Sequence, residues 1–152
     1  MITVADHTAY SKAPAHAFYA RWIDHESWPE WDTGSEWVRL DGPVAEGSKG
    51  KLKPKGGPAS AFTIGTLVPD REYTDICRFP GATMHFQHLA EATPTGTELT
   101  VKVSFEGPLA WLWANTVGKG IAKDAKPALD RLIEILEAGR SSESPNSERL
   151  RS

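Results

Sequence analysis

LTVKVSFEGPLAWLWANTVGKGIAKDAKPALDRLIEILEAG, residues 99–139, changes its period partway along. Leu99, Val101, Val103 and Phe105 alternate with Thr100, Lys102, Ser104 and Glu106, the two-residue period of a strand with one apolar face. After Gly107 and Pro108 the spacing becomes three to four, and Trp113, Val117, Ile121, Ala125, Ala128, Leu132 and Leu136 fall on one stripe. Gly139 marks a stop for that stripe. The stretch predicts a strand whose apolar face meets one long helix over about 108–138, bent at Pro127.

Upstream, from Ser35 to about Glu106, short alternating runs are punctuated by DGP at 41, EGSKG at 46, PKGGP at 54, PD at 69, PG at 80 and PTG at 94. This predicts a meander of six strands. Residues 1–12 carry Ile2, Thr3, Val4, Thr8 and Tyr10 and read as a further strand. Between them, Pro14 suits a first helical turn and Pro29 stops whatever helix runs through Trp28, so two short helices meet near Asp24. The order predicts an α+β domain over 1–139, a seven-stranded antiparallel sheet wrapping a long C-terminal helix. Residues 140–152 (RSSESPNSERLRS) are polar and aperiodic, and read as a disordered tail.

Composition narrows the function. Lys and Arg number 17 against 20 Asp and Glu, a net charge of −3, which gives no pull toward nucleic acid. Cys77 is the only cysteine, so neither an intramolecular disulfide nor a thiolate zinc site can form. No secretory signal opens the sequence and no run is apolar enough to span a membrane, so the expectation is a soluble, cytoplasmic protein. Phosphate loop, dinucleotide fingerprint, GxSxG elbow and HExxH are all missing, and no cofactor or metal is expected.

Strand phase says what faces the helix. Met84, Phe86, His88 and Ala90 share one face; Phe62 and Ile64 behave similarly, as do Tyr73, Cys77 and Phe79, whose phase carries Asp75 inward. A seven-stranded sheet offers more concave surface than one helix fills, and Gly118 and Gly120 stand where bulk would be needed. The expectation is a mostly apolar cavity for a small hydrophobic or amphipathic ligand. The expected ligand-binding set is Trp31, Trp37, Phe62, Ile64, Met84, Phe86, His88, Val101, Val103, Phe105, Trp113, Val117 and Ile121.

The stretches APAHAFYARWIDHESWPEWD (13–32), GPVAEGSKGKLKPKGGPASAFTI (42–64), RFPGATMHFQHLAEATPTGTEL (78–99) and VSFEGPLAWLW (103–113) resemble the START-like, Bet v 1-type superfamily. The resemblance, over about residues 2–138, is to its bacterial SRPBCC polyketide cyclase/dehydrase-like proteins. It implies a helix-grip fold with a deep hydrophobic cavity. Members include lipid and sterol carriers, aromatase/cyclases, dehydratases and binding proteins, so it implies no one reaction.

The remaining candidates each have a plain structural reading. Trp28 and Trp31 either line the cavity mouth or pin the helix junction to the sheet as buried area. Trp111 and Trp113 lie about 200° apart on a helix, which puts Trp113 on the inward stripe and Trp111 on an exposed rim. His85 and His88 fall on opposite strand faces, so no one metal takes both. His88 is either a core histidine or, with Asp75 beside it, an acid-base pair for an aldol or dehydration step. Lys49, Lys51, Lys53 and Lys55 share one face, either solvated or touching anionic headgroups at a membrane surface or an acidic substrate. Lys119, Lys123 and Lys126 form a second ridge of the same kind, and Cys77 reads as a small buried hydrophobe. Oligomeric state has no signature in the sequence.

Overall fold

The computed structural model describes the backbone of residues 1–151 and the side chains of residues 1–139. Strand β1 (Ile2–Ser11) is followed by α1 (Ala15–Trp22) and a 3-10 turn at His25–Glu30. Six strands come next: β2 (Ser35–Leu40), β3 (Lys49–Pro54), β4 (Ser60–Val68), β5 (Glu72–Phe79), β6 (Ala82–Thr93) and β7 (Gly96–Glu106). Helices α2 (Ala110–Asn115) and α3 (Val117–Arg151) close the chain. The polar tail expected at 140–152 lies outside the residues whose side chains are described.

All seven strands form one antiparallel sheet in the order β1-β7-β6-β5-β4-β3-β2. Consecutive strands pair through short turns, and β1 returns beside β7, as the alternation and Gly/Pro breaks predict. At the β5–β6 turn only Pro80 and Gly81 separate the paired residues Phe79 and Ala82. Gly81 takes φ +74°, the left-handed conformation that a Pro-Gly turn requires and that a side chain would strain. The apolar face of β7 is buried throughout: Leu99, Val103 and Phe105 are wholly inaccessible and Val101 nearly so. Ala125, Leu129 and Leu132 of α3 are buried with them in one core.

The helical segment differs from the expectation. It is two helices, not one over 108–138, because Thr116 takes φ −115° and ψ −87°. The Thr116 hydroxyl there donates to Leu112 O at 2.8 Å, closing the end of α2. Gly139 does not end α3, whose backbone continues through it; it is not among the glycines of positive φ, so no left-handed cap forms. Gly118 and Gly120 are not the source of internal space. A Cβ on Gly118 would lie 3.1 Å from Phe105 Cε1 and 3.2 Å from Val4 Cγ1, so glycine lets the start of α3 press on β1 and β7. Gly120 faces outward with nothing within 4 Å.

Candidate functional site: an apolar cavity with an acidic end

Small side chains on α3 leave a gap between helix and sheet. Ala125 and Ala128 stand where larger residues would reach β5 and β6, and a cavity of about 380 Å³ remains. α3 supplies Val117, Ile121, Leu129 and Leu132 to its wall; the sheet supplies Leu52, Phe62, Phe79, Met84, Phe86 and Val101. Trp22, Trp28 and Trp31 close one side. Phe62 reaches in across β3 at Gly50, where a Cβ would come within 2.5 Å of Phe62 Cζ, so Gly50 makes room for the ring.

The two indoles of WPEWD do both things the sequence allowed. Trp28 Nε1 donates to Trp22 O at 3.0 Å, pinning the 3-10 turn to the end of α1, and its ring also faces the cavity. Trp31 packs on Trp28 at 5.4 Å between centroids, but its buried Nε1 has no acceptor.

Of the residues expected to bind a ligand, Trp31, Phe62, Met84, Phe86, His88, Val101, Val117 and Ile121 line the cavity. Five do not. A β-bulge between Ser35 and Trp37 reverses the phase of β2, so Ser35 faces the cavity while Trp37 turns outward under the Arg39 guanidinium, 4.4 Å from its centroid. Trp113 leaves the cavity because the break at Thr116 takes α2 off the line of α3. Its Nε1 donates to Pro80 O at 2.8 Å and its ring stacks on Phe79 at 4.8 Å. Ile64, Val103 and Phe105 are almost wholly buried but close-packed, Phe105 against Phe79 and beneath Gly118. Trp111 is exposed on α2, as its angular offset from Trp113 predicts.

Polar groups cluster at one end. His88 lies in the wall between aromatic rings, stacked on Phe86 at 4.7 Å and 5.4 Å from Trp22. Its buried Nδ1 has no partner, and burial drives its pKa down to about 3. Asp75 is buried and its carboxyl is pushed up to about 7, first by burial and then by the charge of Asp32, against a lowering by hydrogen bonding with Tyr73. Of the two readings of His88, the acid-base pair with Asp75 does not form. In the sheet register Asp75 stands opposite Phe86 and His88 opposite Tyr73, and no hydrogen bond or ion pair joins them among the described residues. A paired imidazole would have a raised pKa, the opposite of what burial gives here.

A different connection takes its place. His25, in the 3-10 turn, brings Nε2 to 2.7 Å from the Tyr73 hydroxyl, whose own ring is wholly buried. Burial holds His25 neutral by lowering its pKa, and burial with the nearby Asp75 charge keeps Tyr73 a phenol. His25, Tyr73 and Asp75 thus run in series toward the cavity. The strand phase of Tyr73 is readable in the sequence; His25 is not, since its placement depends on how the turn folds back on β5.

Two further carboxyls reach this end, and the helical stripe did not include them. Asp32 accepts from Ser35 Oγ at 2.9 Å, and its carboxyl is raised chiefly by burial, with the Asp124 charge adding to it. Asp124 sits one residue before Ala125 on α3. A Cβ on Gly34 would lie 3.0 Å from Asp124 Oδ2 and 3.7 Å from Asp32 Oδ1, so both carboxyls converge beside Gly34, where glycine allows their close approach. No Lys or Arg belongs to the wall. Lys49, Lys51 and Lys55 are exposed away from it, and Lys53 is ion-paired with Glu36 on the outer surface. His85, on the opposite face from His88, is 2.8 Å from Glu106. Cys77 is at the wall, its thiol pushed upward by burial. No group of three or more His, Cys, Asp or Glu could hold a metal ion, and no helix is long and apolar enough to cross a membrane, among the described residues.

The family described as "Polyketide cyclase / dehydrase and lipid transport" matches residues 2–137. Among solved structures, a protein from Nitrosomonas europaea superposes with a TM-score of 0.70 at 13% identity, over 92% of this chain and 97% of that one. Ara h 8.0201 superposes with a TM-score of 0.67 at 15% identity, over 88% and 96%. The di-domain ARO/CYC StfQ from the steffimycin biosynthetic pathway gives 0.70 at 12% identity, over 93% of this chain and 52% of StfQ. These likenesses show a shared Bet v 1-like, helix-grip fold. No curated protein matches by sequence.

Proposed function

Because the chain belongs to the polyketide cyclase/dehydrase and lipid transport family, we propose that it holds one small hydrophobic or amphipathic ligand in this cavity, as a carrier, sensor or sequestering protein. The observation that carries the reading is the cavity of about 380 Å³ beside Trp22, Trp28 and Trp31, apolar over most of its wall and polar at one end. An apolar ligand entering it gains about 2.5 kcal/mol for each ~100 Å² of hydrocarbon removed from water. The three indoles report occupancy, so titration with a neutral aromatic alcohol such as naphthylethanol tests the proposal. Saturable, one-site quenching of tryptophan fluorescence supports it; a linear response with no saturation refutes it.

A second reading, an enzyme of cyclase or dehydratase type, is favoured by one observation. Asp75 is a cavity carboxyl whose pKa of about 7 lets it give or take a proton at neutral pH, with Tyr73 and His25 behind it. In that reading Asp75 is the acid-base group and His88, held neutral, is a hydrogen-bonding wall residue. Turnover of a poly-β-ketone substrate that falls at least a hundredfold in Asp75→Asn, with substrate binding retained, supports it; equal rates in both proteins refute it.

A further inference from the structure

The polar end of the cavity has acceptors of one sign and no counter-charge. Asp75 lies deep in the wall, Asp32 is next toward solvent, and Asp124 stands exposed on α3 at the edge. None of the ion pairs among the described residues reaches any of the three. Asp32 accepts only the Ser35 hydroxyl from a side chain, and the neighbouring cations Lys119, Lys123 and Lys126 stay outside the wall, Lys126 holding Asp130. Like charges gathered at a site of low dielectric repel, and a cation placed among them relieves that repulsion. Asp32 and Asp124 both approach Gly34, which brings the two carboxyls together at the rim of the cavity that Asp75 also lines.

Two unpartnered groups in the same wall point independently to a ligand. Trp31 Nε1 and His88 Nδ1 are both buried without a hydrogen-bond partner, on residues that are 4% and 3% exposed. His88 is held neutral with a hydrogen bond to the Tyr73 backbone, so its unpaired Nδ1 is a buried acceptor, costly to leave unmade, and an N–H of the occupant would satisfy it. The indole faces beside the acidic end also suit a cation, which the negative face of an aromatic ring attracts.

We infer that the cavity is selective for an aromatic or apolar amine: a ligand whose hydrocarbon part fills the wall and whose protonated nitrogen lies among Asp32, Asp75 and Asp124. The inference rests on the reading of the cavity as a ligand site and adds the charge of the occupant. Carboxylate-headed ligands, fatty acids included, would meet three carboxyls and no cation to receive them. Neutral alcohols enter on their hydrocarbon part alone.

Three probes of one shape separate the outcomes: naphthylethylamine, naphthylethanol and naphthylacetate, each titrated against the full chain by tryptophan fluorescence at neutral pH. The expected order is amine, then alcohol, then carboxylate, with about tenfold between the first two. Asp124→Asn, on an exposed helical position, and Asp32→Asn should each move the amine-to-alcohol affinity ratio toward one. Naphthylacetate binding as tightly as the amine, equal affinity for amine and alcohol, or an amine preference that survives in both variants would each overturn the inference while the cavity stands as a ligand site. Failure of all three probes to saturate would instead remove the cavity reading on which it rests.

Discussion

The imidazole of His25 and the phenol of Tyr73 meet at 2.7 Å in the interior, joining residues 48 apart in sequence. That contact ties the 3-10 turn to β5 at the level of the cavity, and it places a neutral hydrogen-bonded pair directly behind the Asp75 carboxyl. His25 also stacks on Trp28 at 5.0 Å and on Phe62 at 5.5 Å, so the same ring supports two cavity-wall aromatics.

Tyr73→Phe keeps the ring and deletes the hydroxyl. His25 Nε2 then stays buried without its partner, at a cost of about 1–3 kcal/mol in unfolding free energy by urea titration. Hydrogen bonding with Tyr73 holds the Asp75 pKa down, so the same variant should raise that pKa further, as followed by carboxyl carbon NMR. An unchanged Asp75 titration would show that the phenol does not act on the carboxyl.

Asp75 and His88 give opposite pH dependences. Folded Asp75 keeps its proton to about 7 against an ordinary 3.8, so stability is full at low pH and falls as pH rises through that window. Folded His88 stays neutral down to about 3 against an ordinary 6.5, so its share is full above 6.5 and is lost as pH falls through the window. Relative to the parent chain, Asp75→Asn should therefore gain stability from about pH 4 to 7, and His88→Phe should gain it from about pH 6.5 down to 3. Each slope approaches about 1.4 kcal/mol per pH unit. Urea midpoints across pH decide it; a flat difference for either variant contradicts the assigned burial.

Trp113 is a strut rather than a wall residue. Trp113→Phe removes the hydrogen bond to Pro80 O while keeping most of the stacking on Phe79, and should cost about 1 kcal/mol in stability. Naphthylethanol affinity should stay within twofold of the parent. A large loss of affinity would return Trp113 to the cavity.

The strand alternation made the inward faces of β6 and β7 legible, because burial of one face fixes every second residue once one is placed. Met84, Phe86, His88 and Val101 follow from it. Trp37 was misplaced by a one-residue bulge that leaves no mark in composition, and Trp113 by a helix break at Thr116 where the apolar stripe itself runs on without interruption. Asp124 interrupts no stripe, being a polar neighbour of Ala125 that enters the wall only because the alanines leave the helix side thin. The His25–Tyr73 contact was beyond sequence reasoning for a different reason: it joins a turn to a strand, and no periodicity relates the two.

Methyl-resolved NMR of the chain titrated with naphthylethanol tests the cavity most directly, since its wall carries methyls from both sheet and helix. The account predicts saturable shifts at Met84, Val101, Ile121 and Leu129, with Val44 and Val68 on the exposed surface unmoved. Shifts confined to Val44 and Val68, or none that saturate at the four wall residues, would contradict an internal ligand site.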